Sequence, residues 1–330
     1  MRRRKFLKLF GGATVASWPC LGEAQQVGKT PRIGMLWHAA NAEEEKFPLG
    51  QFRQGLKDLG YVDGQNIMLE LRFPAEVPDR FHSMAAELAR MNVDILFAVT
   101  RPAALAAQRA TKTIPIVFMA VPDPVGSKLV DTLSRPGGNI TGLSNMALEL
   151  TPKRVELLMQ TAGLTKVALL VNANDSEGAR RYVELSQTAV GHLGIHVEPI
   201  EVRTPADFEN AFAEVRKRGL QGVVVTQDGL LYAEQPQMFR LAFKHKLPLI
   251  AYSREMAVNG ALMTYGPSNA AMFRRAAVFV DLILKGSKKV GDLPVEQPAK
   301  FELVINMKTA ATLGIEIPKV IRLVADEVIE

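Results

Sequence analysis

The chain of 330 residues has a single cysteine, Cys20. That residue lies in an N-terminal segment read below as removable, so the mature chain holds no thiol. Disulfides, thiolate nucleophiles and cysteine metal sites are thereby excluded. Histidine is also scarce: His38, His82, His192, His196 and His245. His192 and His196 have the i, i+4 spacing of a metal pair, but Gly194 breaks the helix between them, so neither a metal nor a cofactor is expected. Aromatic residues make up 7% of the chain, too few for a nucleic-acid stacking platform. No stretch reaches the ~20 apolar residues needed to span a bilayer. There is no G-x-x-x-x-G-K-[ST] phosphate loop and no G-x-S-x-G nucleophile elbow. Gly137-Gly138 precedes a strand, whereas a phosphate cradle follows one, so it reads as a turn.

What is present is apolar residue in quantity, 48%, enough for a sizeable core and two ordinary domains. The net charge of +6 is concentrated at the start, where Arg2, Arg3, Arg4, Lys5 and Lys8 stand against Glu23 within residues 1–24. The remainder is too weakly charged to suggest nucleic acid or membrane as a partner. A basic start, the apolar run Phe10 to Trp18 and the small-residue exit Gly22-Glu23-Ala24 read as an export signal. Arg3-Arg4-Lys5-Phe6-Leu7-Lys8 has the pattern of a twin-arginine signal, which a receptor reads and which is no anchor. Ser17-Trp18-Pro19 does not supply the Leu-small-small run of a lipoprotein before Cys20. The expectation is an exported, periplasmic, monomeric protein without direct membrane insertion.

The stretch Asp94 to Val125 organises the rest. Two apolar runs, Ile95 to Val99 and Ile114 to Val121, flank an alanine-rich helix, the βαβ unit of a parallel sheet. Apolar residues at nearly every position suit strands buried on both faces. In open α/β sheets ligands sit beyond the carboxyl ends of the strands, where helix N-termini favour an anion. Thr100, Arg101, Pro102 and Asp123 stand at those ends. The alternative is that Thr100 only caps the helix and Arg101 lies in solvent.

The alternation extends in both directions. Pro31 to Trp37 and Ile67 to Phe73 read as strands; stripes at Leu49, Phe52, Leu56, Leu59 and at Phe81, Met84, Leu88, Met91 read as helices, the second capped by Asp79. Asp123-Pro124 is expected to open a helix bearing Leu129, Val130 and Leu133. Ile140 to Ser144 reads as a crossing strand between two lobes. Thr151-Pro152 caps the next helix, and strands ending at Asn172, Val202, Thr226 and Ala251 follow. Leu262 to Tyr265 and Glu302 to Ile305 are read as further extended crossings, and Asn269 as the cap of a long helix. The fold class is α/β, two doubly wound parallel-sheet lobes. Facing lobes would set Trp37, Thr100 and Asp123 against Asn174, Asp228 and Tyr252, with His38 and Asn41 beside the cleft. Asp123 and Asp228 are a conceivable carboxylate pair for a hydrolase. Recognition is the preferred reading: a carboxylate facing a ligand amine, and Arg101 or a helix N-terminus facing a ligand acid. His38 can donate to a ligand or face solvent, and Tyr265 can offer a ring face or pack in a hinge strand.

At this point the residues resemble a known family. IPIVFMAVPDPVGSKLVDTLSRPGGNITGLS, LMTYGPSNAAMFRRAAVFVDLILKG, DLPVEQPAKFELVINMKTAATLGIEIP and the ending ADEVIE are similar to the periplasmic substrate-binding proteins of ABC transporters, typified by tryptophan- and tyrosine-binding members. The resemblance implies a type I periplasmic-binding fold, three crossovers, a ligand between the lobes, delivery to a permease served by a separate ATPase, and no catalytic residues. It places lobe 1 at 30–142 plus 267–293, lobe 2 at 145–263 plus 298–330, and hinges near 140–145, 263–267 and 293–299. This chain departs from the family at Thr100-Arg101-Pro102, Asn172-Ala173-Asn174 and Asp228-Gly229. Arg101 leads to the expectation of a carboxylate-bearing ligand, an amino acid or aromatic acid among the options. The ligand-binding residues expected are Trp37, His38, Asn41, Thr100, Arg101, Pro102, Asp123, Ser144, Asn172, Asn174, Asp228, Tyr252 and Tyr265. A ligand sensor for a chemotaxis or signalling partner is the alternative function. A repressor would need a helix-turn-helix where the export signal stands.

Overall fold

The computed structural model describes residues 30–330, so the export signal expected at residues 1–24, and Cys20 with it, lies outside the described residues. The first sheet has five parallel strands in the order β2-β1-β3-β4-β5. They are β1 (Arg32–Leu36), β2 (Met68–Arg72), β3 (Ile95–Val99), β4 (Ile116–Val121) and β5 (Ile140–Ser144). In β3 every residue is buried, and alternate side chains feed two different cores. Ile95, Phe97 and Val99 meet α1 (Lys46–Asp58) and α10 (Asn269–Leu284). Leu96 and Ala98 meet α2 (Pro78–Arg90) and α3 (Arg101–Ala110). A continuous apolar run is what a strand covered on both faces requires.

The second sheet has seven strands, order β12-β11-β10-β9-β8-β6-β7. They are β6 (Lys166–Asn172), β7 (His196–Val202), β8 (Val223–Val225), β9 (Leu249–Ala251), β10 (Met263–Pro267), β11 (Phe301–Asn306) and β12 (Glu327–Ile329). In β6, Ala168 and Leu170 pack toward α6 (Phe208–Lys217) and α8 (Gln235–Lys244). Val167, Leu169 and Val171 pack toward α4 (Ala147–Ala162) and α5 (Ser176–Val190). Short helices α7 (Gly229–Ala233), α9 (Arg254–Asn259), α11 (Met307–Leu313) and α12 (Lys319–Val324) complete this lobe. Among the described residues no helix is long and apolar enough to cross a membrane, and no cluster of His, Cys, Asp and Glu suits a metal ion.

The chain leaves the first sheet after β5, returns from β10 through α10, which packs on α1, and leaves again toward β11. The first and third passages are bonded together: Ser144 N–H donates to the Glu296 carbonyl at 2.9 Å, and Glu296 N–H to that of Gly142 at 3.0 Å.

Several local expectations are corrected. Residues 123–135 form turns rather than a helix. Asp123 turns its carboxylate onto the Gly126 N–H at 2.8 Å, and Lys128 adopts φ 57°, so the backbone donors are satisfied locally and helix propagation stops. Leu129 and Val130 still enter the core. Helix α4 begins at Ala147, so Thr151 and Pro152 lie within it; the Thr151 hydroxyl donates to the Ala147 carbonyl at 2.6 Å. Val77, not Asp79, stands at the N-cap of α2, and Ser268, not Asn269, caps α10. The stretches read as crossings at Leu262–Tyr265 and Glu302–Ile305 fall in β10 and β11, which pair antiparallel, so the second sheet is mixed rather than wholly parallel. Ile140–Ser144 is likewise a paired strand of the first sheet, and the crossing follows it.

Candidate functional site

The carboxyl ends of the strands of both sheets open onto one cleft of about 970 Å³, counting its mouth. A cleft between two lobes is a preferred place for a small-molecule ligand. From the first lobe come His38, Thr100, Arg101, Pro102 and Asp123; from the second, Asn172, Asp228 and Tyr252. The structure thus brings together eight of the thirteen residues picked from sequence. Asn174 lines an adjoining cavity, its amide donating to the Arg203 carbonyl at 2.7 Å. Trp37 is fully buried and stacks on Phe273 with ring centroids 5.8 Å apart; Phe273 lines the cleft, so Trp37 lies one layer behind. Asn41 sits in an exposed loop, where its carbonyl oxygen accepts from the amides of Glu43 and Glu44. Ser144 is buried with its hydroxyl on the Pro122 carbonyl at 3.2 Å. The Tyr265 ring packs near Phe301, 6.1 Å between centroids, away from the cleft lining.

Two backbone irregularities shape the first wall. Thr100 adopts φ 82°, and Ala120 adopts φ 59° at a register shift between β4 and β5. A threonine at positive φ is unusual and is held here by surrounding bonds: Thr100 N–H donates to the Met119 carbonyl at 2.9 Å, and its own carbonyl receives the Ala104 N–H at 3.1 Å. The Thr100 hydroxyl is buried with no partner, as is the side-chain oxygen of Gln227 on the opposite wall.

Charges cross the cleft in pairs. Arg101 donates to Asp175 and, at 2.8 Å, to Glu177, both on the second lobe, and its Nε donates to Ser127 at 2.9 Å. In the opposite sense Arg181 Nη1 lies 2.6 Å from Asp123. Each pair joins one lobe to the other, so the lobes are closed. Glycine permits the close approach: a Cβ on Gly126 would meet Arg181 Nη2 at 2.0 Å.

A third cluster lies at the cleft's end. His38 Nε2 faces Glu45 at 2.9 Å and His38 Nδ1 faces Glu76 at 2.9 Å. Burial opposes the imidazolium, but the two carboxylates outweigh it and hold the histidine pKa well above its usual value. Across the lobe boundary stands Asp228, whose Oδ1 accepts from Asn172 at 3.0 Å and from the Leu230 amide at 2.9 Å, capping α7. Burial, with Glu76 adding repulsion, pushes its carboxyl up from 3.8 to about 7. Among the described residues Asp228 has no cationic side chain bonded to it, whereas Asp123 is met by Arg181, so the two carboxylates stand in unlike settings.

Sequence reasoning missed Glu45, Glu76, Asp175, Arg181, Tyr182, Tyr232 and Phe273, which line the two cavities from helix starts and loops beyond the strand tips. The one available signal was Asp175 before Ser176, an N-cap pattern at a strand tip.

A sequence profile described as ABC transporter substrate binding protein matches residues 47–329. A tyrosine-binding protein of Clostridioides difficile (strain R20291) is 28% identical over 291 residues, 87% of this chain and 82% of that protein. Among solved structures, an ABC domain in complex with L-Trp from Streptococcus pneumonia superposes with TM-score 0.81 at 24% identity, over 91% of this chain and 100% of that one. A ligand-free, open substrate-binding protein with adhesive properties from Clostridium difficile gives TM-score 0.64 at 25% identity, over 91% of this chain and 99% of that one. The lower score falls on the structure described as open.

Proposed function

The chain belongs to the ABC transporter substrate binding protein family, a family of binding proteins rather than enzymes, and on that premise we propose that it is an exported receptor that captures a small solute between its lobes and delivers it to the permease of an importer. The observation that carries this reading is the closed cleft. Its walls come from both lobes and are joined by Arg101 with Asp175 and Glu177, and by Asp123 with Arg181. These contacts are made only when the lobes meet, so capture and release follow from their making and breaking.

The solute we propose is an amino acid or a related aromatic compound bearing a carboxylate. Tyr182, Tyr232, Tyr252 and Phe273 line the cleft and offer ring faces. The unpartnered Thr100 hydroxyl suits a polar group of the ligand, and Asp228 suits a ligand amine. The names of the tyrosine-binding and L-Trp-bound relatives agree with this class. The export signal at residues 1–24 supports a periplasmic location, reached by the twin-arginine route. A permease with a separate ATPase is the partner, and the receptor acts as a monomer.

The test is a thermal-shift and calorimetry screen over amino acids, aromatic acids and small carboxylates. A solute present at a hundred times its Kd adds about 2.7 kcal/mol of stability, a readily measured rise in Tm. Turnover of a bound solute, or a panel in which only uncharged compounds bind, would overturn the proposal.

A further inference from the structure

Arg154 is fully buried, on the inner side of α4. Its Nε donates to the Tyr265 carbonyl at 2.8 Å and its Nη1 to the Thr151 hydroxyl at 3.1 Å, while Nη2 has no partner. Among the described residues it forms no ion pair. Burial lowers its pKa to about 10, which still leaves it charged near neutral pH. A buried guanidinium without a counter-ion is a strongly unfavourable arrangement, and its persistence calls for a source of negative charge.

Its position indicates where that charge comes from. The guanidinium carbon lies 5.8 Å from the centroid of the Tyr252 ring. Tyr252 and Tyr182 both line the ligand cleft, so Arg154 stands directly behind that wall. Every cation lining the cleft is already met by carboxylates: Arg101 by Asp175 and Glu177, Arg181 by Asp123, and His38 by Glu45 and Glu76. Asp228 is the carboxylate on the ligand side of the same tyrosines; it is itself drawn toward the neutral form and balances Arg154 poorly. The Tyr182 hydroxyl donates to the Gln227 carbonyl at 3.3 Å, and that of Tyr252 to the Asp228 carbonyl at 3.5 Å, both long bonds readily exchanged for a better acceptor.

We propose that Arg154 is the residue that sets the sign of the ligand: its uncompensated charge behind Tyr182 and Tyr252 selects a solute whose anionic group docks on that tyrosine wall. The tyrosine hydroxyls touch the anion, and Arg154 acts through them, polarising the hydroxyls and supplying the field in a medium of low dielectric constant. This assignment rests on the carboxylate reading above, and it names which cation carries the preference.

The experiment compares matched acid and amide probes: L-tryptophan with L-tryptophanamide, and indole-3-acetate with indole-3-acetamide. Affinities are measured by calorimetry on the unaltered protein, on Arg154→Met and on Arg154→Lys. The unaltered protein is expected to favour the acid of a pair at least tenfold. Arg154→Met should bring that ratio close to one, and Arg154→Lys should restore most of it. A purely structural role would weaken acid and amide alike and leave the ratio unchanged. An acid preference that persists in Arg154→Met overturns the role of Arg154 and leaves the carboxylate reading standing. An amide that binds the unaltered protein as well as its acid overturns both. If Arg154→Met does not fold, the same ratio in Arg154→Lys and Tyr252→Phe decides: it should stay high in the first and fall several-fold in the second, and an unaltered ratio in Tyr252→Phe rejects the tyrosine wall as the docking point.

Discussion

Arg181 and Asp123 meet across the cleft at 2.6 Å, each projecting from a different lobe, and neither side chain is deeply buried. A partly exposed pair of this kind contributes about 0.2–1 kcal/mol. Asp123→Ala should therefore shift the open–closed balance by a factor of roughly 1.4–5 and raise the ligand dissociation rate by a similar amount. Stopped-flow release measured at rising salt is the check, and the unaltered protein should approach the variant as salt increases. An unchanged release rate would mean that the pair plays no part in holding the lobes together.

Arg101 carries two roles at once, as the partner of Asp175 and Glu177 and as part of the cleft wall. Arg101→Ala is expected to weaken ligand binding and to leave two carboxylates facing one another without a cation. Asp175→Ala, which spares the guanidinium, should weaken binding less. Equal affinity in Arg101→Ala and the unaltered protein would remove Arg101 from the ligand site.

Gly229, like Gly126, lies where the two lobes approach closely. A Cβ there would sit 2.0 Å from Glu76 Oε1 and 2.7 Å from His38 Nδ1. The histidine is held between two carboxylates and cannot swing aside freely. Gly229→Ala should reduce ligand affinity tenfold or more by opposing closure, with little change in the Tm of the unliganded protein. Small-angle scattering would register a larger radius of gyration with ligand present; a radius equal to that of the unaltered complex would contradict the steric argument.

The Asp228 carboxyl, raised from 3.8 to about 7, favours the folded state when protonated. Its contribution is complete below the unfolded value near pH 4 and is lost as pH rises through about 7. The displacement corresponds to on the order of 4 kcal/mol between those limits. His38, also raised, acts in the same direction. Tm should fall as pH rises from about 4 to about 7, and Asp228→Asn should flatten that fall. A parallel decline in the variant would assign the effect elsewhere.

The strands were legible because burial on both faces forces an unbroken apolar run, as in Ile95 to Val99. The strand-tip rule then found His38, Thr100, Asp123, Asn172, Asp228 and Tyr252, since a parallel sheet aims its carboxyl ends one way. Asp123-Pro124 misled because the same residues open a helix or a turn, and the Asp123 side chain chose the Gly126 amide. Arg181 escaped because periodicity marks the buried stripe of a helix, not the side chains that reach round to a neighbouring lobe; Tyr182 escaped because it belongs to that stripe and reads as core, although its edge also lines the cleft. Arg154 escaped for a stronger reason. An arginine between lysine and valine near a helix start reads as solvated, and only the packing of β10 and Tyr252 over it removes it from water.

The bond pair between Ser144, Glu296 and Gly142 ties two of the chain's three passages into a short ribbon. A single strap would leave the halves free to swivel about any axis, whereas a ribbon bends in one plane and resists torsion. Bonded side by side, the two passages should bend together, and opening is then expected to follow one arc, as a door does on a strip hinge, rather than to swivel freely.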